Sequence, residues 1–172
     1  MSSKDVLKLM KDKEIEFVDF RFTDPKGKLQ HLTMDATIVD DQMLEEGVFF
    51  DGSSIAGWKT INESDMILKP DLAKPITDPF NSHNTINIFC DILDAVKKEP
   101  YERDPRGTAK KAEEYLKKLG IGDKAYFGPE PEFFTFDDVR FENKMNTSNF
   151  FVDSSEGPYN TGKKYENGNM GH

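Results

Sequence analysis

Val18-Asp19-Phe20-Arg21-Phe22-Thr23-Asp24-Pro25-Lys26-Gly27 is the stretch on which the fold turns. Val18, Phe20 and Phe22 alternate with Asp19, Arg21 and Thr23. An extended chain sends successive side chains to opposite faces, so this is a strand with one apolar and one polar face. Asp24-Pro25-Lys26-Gly27 has the composition of a turn. Residues 29–34 then return as the second arm of a hairpin. Upstream, Ser2 or Ser3 caps a short helix whose buried stripe is Val6, Leu7 and Met10. Downstream, residues 39–46 read as a short helix, with Asp40 or Asp41 as cap and Gly47 as stop. Strands resume at 66–69 and at 85–92, where Ile86, Ile88 and Cys90 alternate with Asn87, Phe89 and Asp91. Helices among hairpin strands make a small α+β roll.

Residues 48–58 fit no period. Phe49, Phe50, Ile55 and Trp58 share the stretch with Asp51-Gly52-Ser53-Ser54. The expectation is an apolar loop that packs on something, a neighbouring subunit being one candidate. Residues 96–104, rich in Lys, Glu and Pro, mark a boundary. Beyond it Asp104 caps a helix and Pro105 takes its first position. Ala109, Ala112, Leu116 and Leu119 recur at helical spacing, and Gly120 ends it. Residues 125–127 and 130–136 are expected as strands of a second sheet. From Glu142 to His172 the chain turns polar and reaches its end without a closing helix or strand. The division is therefore 1–100 for the first domain and 104–172 for the beginning of a second, incomplete one.

Composition narrows the function. The 172 residues are 36% hydrophobic and 12% aromatic, with 14 Phe, enough for a core despite a mean hydropathy of -0.68. A formal charge of -9 repels phosphate backbones, so nucleic acid is not an expected partner. The single Cys90 cannot form an internal disulfide and fits a reducing compartment, so a cytoplasmic location is expected. Neither a signal peptide nor a membrane span is visible in the sequence.

The chemistry concentrates in Phe127-Gly128-Pro129-Glu130-Pro131-Glu132-Phe133-Phe134. In an extended segment Glu130 and Glu132 share a face with Phe134 and Phe136. Paired carboxylates among aromatics raise their pKa values or recruit a cation. Hard divalent ions such as Mg²⁺ and Mn²⁺ take oxygen ligands. Glu-x-Glu also occurs on solvated strand edges, where it serves only solubility, and the prolines suit an edge or bulge. Asp51-Gly52-Ser53-Ser54 likewise reads either as an acid site or as a turn whose polar side chains cap their own backbone.

Taken in order, Phe50-Asp51-Gly52-Ser53-Ser54-Ile55, Asn62-Glu63-Ser64-Asp65-Met66, Asp91-Ile92-Leu93, Arg103-Asp104-Pro105-Arg106, Gly128-Pro129-Glu130-Pro131-Glu132-Phe133 and Tyr165-Glu166-Asn167-Gly168-Asn169-Met170-Gly171-His172 resemble bacterial type I glutamine synthetase. The stretch between Phe141 and Tyr165 resembles an insertion of the β subtype, which is typically adenylylated on a tyrosine that would lie beyond His172. The resemblance implies a β-grasp-like N-terminal domain, then the first part of an α/β barrel-like catalytic domain. It implies ATP-dependent ligation of ammonia to glutamate through γ-glutamyl phosphate. Glu130 and Glu132 would each hold one of two Mg²⁺ or Mn²⁺ ions. Asp51, flanked by Ser54, would bind ammonium and take its proton. Glutamate, ammonium and ATP would be the small-molecule partners, and stacked rings, a dodecamer, the assembly. Most of the nucleotide pocket falls outside the match; with Phe49, Phe50, Ile55 and Trp58 crowding one loop and the second domain cut short, this chain alone is expected to be aggregation-prone and inactive. The alternatives are a non-catalytic β-grasp interaction module, a related γ-glutamyl-amine ligase and, last, a glycosidase, whose acids flank a sugar from opposite sides.

Overall fold

A computed structural model describes residues 1–58 and 64–154. Helix α1 (Ser3–Asp12) begins at Ser2, whose hydroxyl accepts the Asp5 N–H while the Asp5 carboxylate accepts the Ser2 N–H. This reciprocal cap satisfies two donors that a helix start leaves unpaired. Val6 and Met10 enter the core. Ser3, itself buried, donates to Glu45 at 2.9 Å and ties α1 to α2 (Asp41–Glu46).

The hairpin forms as its alternation predicts. Strand β1 (Phe17–Thr23) pairs antiparallel with β2 (Leu29–Asp35), Phe17 opposite Asp35 and Thr23 opposite Leu29. In the turn, one Asp24 oxygen accepts the N–H groups of Lys26 and Lys28, both at 2.9 Å, and Gly27 supplies the positive φ of 82°. The remaining strands are β3 (Val48–Asp51), β4 (Asp65–Pro70), the short β5 (Ile76–Thr77) and β6 (Thr85–Asp94). The sheet runs β2-β1-β6-β4-β3, with β5 beside β6, and only β1 and β6 are parallel. Val18, Phe20, Met66, Leu68, Ile86, Ile88 and Ile92 are fully buried between this sheet and α1 and α2. This is the expected α+β roll, a β-grasp sheet. Cys90 lies in the same core, and burial pushes its thiol far above the ordinary range. No helix among the described residues is long and apolar enough to cross a membrane.

One expectation for residues 48–58 changes. Residues 48–51 are a strand, not a loop. Gly47, at φ 101°, stops α2 where an added Cβ would lie 2.6 Å from the Leu68 carbonyl oxygen, and the chain then pairs directly with β4. The stretch does pack on something, as expected, and much of the cover comes from its own chain. Trp58 stacks on Phe22 at 5.5 Å, Phe50 contacts both rings, and Ile55 is buried; Phe49 alone stays exposed, at 66%. The Tyr101 hydroxyl donates to the Trp58 carbonyl at 2.8 Å and Arg103 donates to that of Gly57 at 2.8 Å, closing the cluster from below.

Helix α3 (Pro105–Lys118) starts at Asp104, as the sequence predicts, with Gly120 just past its end at φ 67°. It packs with the sheet. Asp104, 2% exposed, accepts the Arg106 N–H at 3.0 Å with one oxygen and the Ile92 N–H of β6 at 3.1 Å with the other. Arg106 pairs with Asp71 and Asp91, and Lys110 with Asp91. The chain divides into two compact units, Met1–Ala125 and Tyr126–His172, so α3 belongs to the first.

In the second unit, β7 (Asp138–Lys144) and β8 (Thr147–Asp153) form a hairpin around Met145-Asn146. The sequence reading expected no strand in the polar stretch that holds β8. Conversely, residues 125–127 and 130–136, expected as strands, join no ladder among the described residues. Pro129 and Pro131 have no N–H to donate, so a ladder there would miss donors within three residues. Arg140 lies over the Phe151 ring at 4.1 Å, and the Phe134 and Phe136 rings stack at 6.3 Å. That stacking shows residues two apart on one side of an extended chain.

Candidate functional site

Two places carry candidate chemistry, one in each unit. The first is the end of β3. Asp51 pairs across the ladder with Asp65, and the Gly52 N–H donates to the Ser64 carbonyl at 2.7 Å. Residues Gly52–Ser54 then make one tight 3₁₀ turn. A Cβ on Gly52 would sit 2.3 Å from Met66 Sδ, so the closure demands glycine. The turn brings the Ser53 N–H to 2.8 Å and the Ser53 hydroxyl to 2.7 Å of the same Asp51 oxygen. The hydroxyl bond first, then the backbone bond, hold the Asp51 carboxyl below the ordinary carboxylate range, and the Ser64 side chain adds to them. Asp51 and Ser54 are both exposed. The local geometry is thus the self-capped turn that the composition allowed, and it also presents an ionised carboxylate to solvent.

The second place is the Glu130 and Glu132 segment. Both side chains are exposed, and neither makes a hydrogen bond or ion pair among the described residues. They offer hard oxygen donors of the kind Mg²⁺ and Mn²⁺ take, whereas such ions want about six ligands. No group of three or more His, Cys, Asp or Glu that could hold a metal ion occurs among the described residues. The two glutamates fit a divalent ion in chemistry and would supply only a share of the ligands it needs. Asn62-Glu63 and the closing Tyr165 to His172 motif lie outside the described residues.

A further concave feature was not anticipated. The polar face of β1 and β2 floors a groove of about 540 Å³ lined by Phe17, Asp19, Arg21, His31, Thr33 and His83 among others. Asp19, 4% exposed, accepts from Arg21, His31 and Thr33, each at 2.7 Å. Burial pushes its pKa up, but the bonds from Thr33, Arg21 and His31 outweigh it and leave it below the ordinary value. Arg21 bridges onward to Asp78 at 3.1 Å, which also accepts from Asn87 at 2.9 Å. The signal for this network was present in the sequence as the polar half of the β1 alternation.

Comparison with known proteins identifies the lineage. The glutamine synthetase β-grasp domain matches residues 14–95, and the glutamine synthetase catalytic domain matches residues 102–170. A glutamine synthetase of Rhizobium meliloti is 58% identical over 99% of this chain and 36% of its own length. One from Vibrio cholerae is 52% identical over 100% of this chain and 37% of its own. The cryo-EM structure of Plasmodium falciparum glutamine synthetase superposes with a TM-score of 0.68 at 26% identity, covering 88% of this chain and 29% of that one. The chain belongs to the glutamine synthetase family. It spans about a third of the length of the curated relatives it matches.

Proposed function

We propose that this chain is the N-terminal share of a cytoplasmic, ATP-dependent ligase that joins ammonia to glutamate through γ-glutamyl phosphate. The observation that carries the reading is Asp51, an ionised carboxylate fixed at an exposed strand end by two donors from Ser53. Ammonium has no lone pair with which to attack an acyl phosphate, and a carboxylate both attracts the cation and accepts its proton. Glu130 and Glu132 supply ligands to two divalent ions, Mg²⁺ or Mn²⁺, which would neutralise phosphate charge during transfer. The order of the matched domains and the names of the bacterial relatives support the type of reaction. The β subtype, a stacked-ring dodecamer and the domain limits 1–100 and 104–172 belong to the same proposal.

In this reading the Asp51 end of β3 completes a neighbouring subunit's site, within rings of identical chains. Mixing two inactive full-length variants, Asp51→Ala and Glu132→Ala, tests it. After unfolding and reassembly as an equal mixture, about a quarter of the sites regain both residues if they come from different subunits. Activity recovered towards that fraction is the expected result. Full-size oligomers that stay as inactive as their parents would exclude the shared site.

A further inference from the structure

We propose that Ser53 is a positioning residue for ammonium use, through its clamp on the Asp51 carboxylate. The inference rests on the reading of Asp51 above and goes one residue beyond it. Ser53 donates twice to a single Asp51 oxygen, from its hydroxyl at 2.7 Å and its N–H at 2.8 Å. Two donors on one oxygen, joined by the Ser64 side chain, fix the rotation of the carboxyl group, and the Ser53 hydroxyl is the strongest of these holds. The backbone beneath is fixed as well, because Gly52 is buried against Met66 and bonded to the Ser64 carbonyl. A restraint is needed here. Asp65 stands directly opposite Asp51 in the ladder, and like charges in opposed positions repel. Without the hydroxyl, Asp51 would turn away from Asp65 and lose its aim while the turn itself kept its backbone bonds. In this role Ser53 acts through Asp51.

A role confined to capping the turn makes a different prediction. It would lower stability and affect every substrate alike. The test uses the full-length protein with Ser53→Ala, Ser53→Thr and Asp51→Asn, measuring KM separately for ammonium, glutamate and ATP. Hydroxylamine serves as a second nucleophile, since it attacks as a neutral amine and needs no carboxylate to gather a cation. Ser53→Ala should raise the KM for ammonium roughly tenfold, the scale of a lost charge-assisted hydrogen bond. The KM values for glutamate and ATP and the use of hydroxylamine should change little. Ser53→Thr, which keeps the hydroxyl, should restore most of the loss. If Ser53→Ala does not assemble, Ser53→Cys, a weaker donor, makes the same comparison. Should Asp51→Asn raise the KM for ammonium while the Ser53 variants leave it unchanged, Ser53 has no positioning role and the reading of Asp51 stands. Should Asp51→Asn itself leave it unchanged, the reading of Asp51 falls and this inference with it.

Discussion

Glu132→Ala in the full-length protein is expected to slow glutamine formation by at least ~100-fold and to raise the Mg²⁺ or Mn²⁺ concentration needed for what activity remains. Even residues that only support a metal's ligands cost about 10- to 100-fold when removed, so loss of a ligand should do at least as much. Glu132 is suited to the role because no other described residue engages it. Among the described residues its carboxylate has no hydrogen bond or ion pair, and Pro131 before it has no N–H to offer. Glu142 on β7 provides the control. It pairs with Lys144 and accepts from Asn149 at 3.5 Å, so Glu142→Ala removes equal charge from the same unit with no expected effect on metal titration. A Glu132→Ala protein with unchanged rate and unchanged metal dependence would remove Glu132 from the site.

The second large effect is on stability. Asn caps helices about as well as Asp, so Asp104→Asn should be mild if Asp104 were only a cap. It is more than that. Each carboxylate oxygen accepts a backbone N–H, from Arg106 and from Ile92 of β6. An amide has one accepting oxygen, and its NH₂ would face a donor in a site that is 2% exposed. The expected loss is about 1–3 kcal/mol for Asn and roughly 2–4 kcal/mol for Ala, which forfeits the cap as well. Urea unfolding followed by the fluorescence of Trp58, the chain's one tryptophan, reads it within the sheet-bearing unit. A loss of 2 kcal/mol lowers the midpoint by about 1 M. There is also a pH signature. Burial raises the Asp104 pKa, only partly opposed by the backbone bonds from Ile92, Arg106 and Gly107. A folded-state pKa above the unfolded one means that the native state holds its proton longer. Stability contributed by this group therefore falls as pH climbs from the ordinary carboxylate value to the raised one. Asp104→Asn should abolish that part of the slope. Equal midpoints for wild type and Asp104→Asn would mean that the Ile92 bond contributes nothing.

Where the sequence spoke clearly, it did so through periodicity or cap chemistry. Val18, Phe20 and Phe22 announce β1 because one face of that strand is core. Asp104-Pro105 announces α3 because few other pairs suit a helix start. Strand β3 was hidden because four residues, two of them Phe, carry no period and find their partner across residues 52–64. Strands β7 and β8 were hidden for another reason. Phe141 and Phe150 are both more than three-quarters exposed, so no buried face writes an alternation into them. That the aromatics of residues 48–58 pack on something was legible; which residues cover them was not. Phe22 and Tyr101 supply the cover, from positions far apart in sequence. The site residues were legible only in combination. Glu-x-Glu and Asp-Gly-Ser-Ser each have an ordinary explanation, and the structure displays that explanation for Asp51 without removing the chemistry.

The position of α3 has a consequence for biosynthesis. Residue similarity places this helix in the catalytic domain, yet its bonds run to β6, and the compact unit closes at Ala125. Every strand and helix of that unit has left the ribosome while later residues are still being joined. Domains generally fold as units in the order of synthesis. The β-grasp sheet and its helix can therefore close as one unit before the hairpin that follows has emerged, and the nascent chain carries Asp51 on a finished scaffold from that moment.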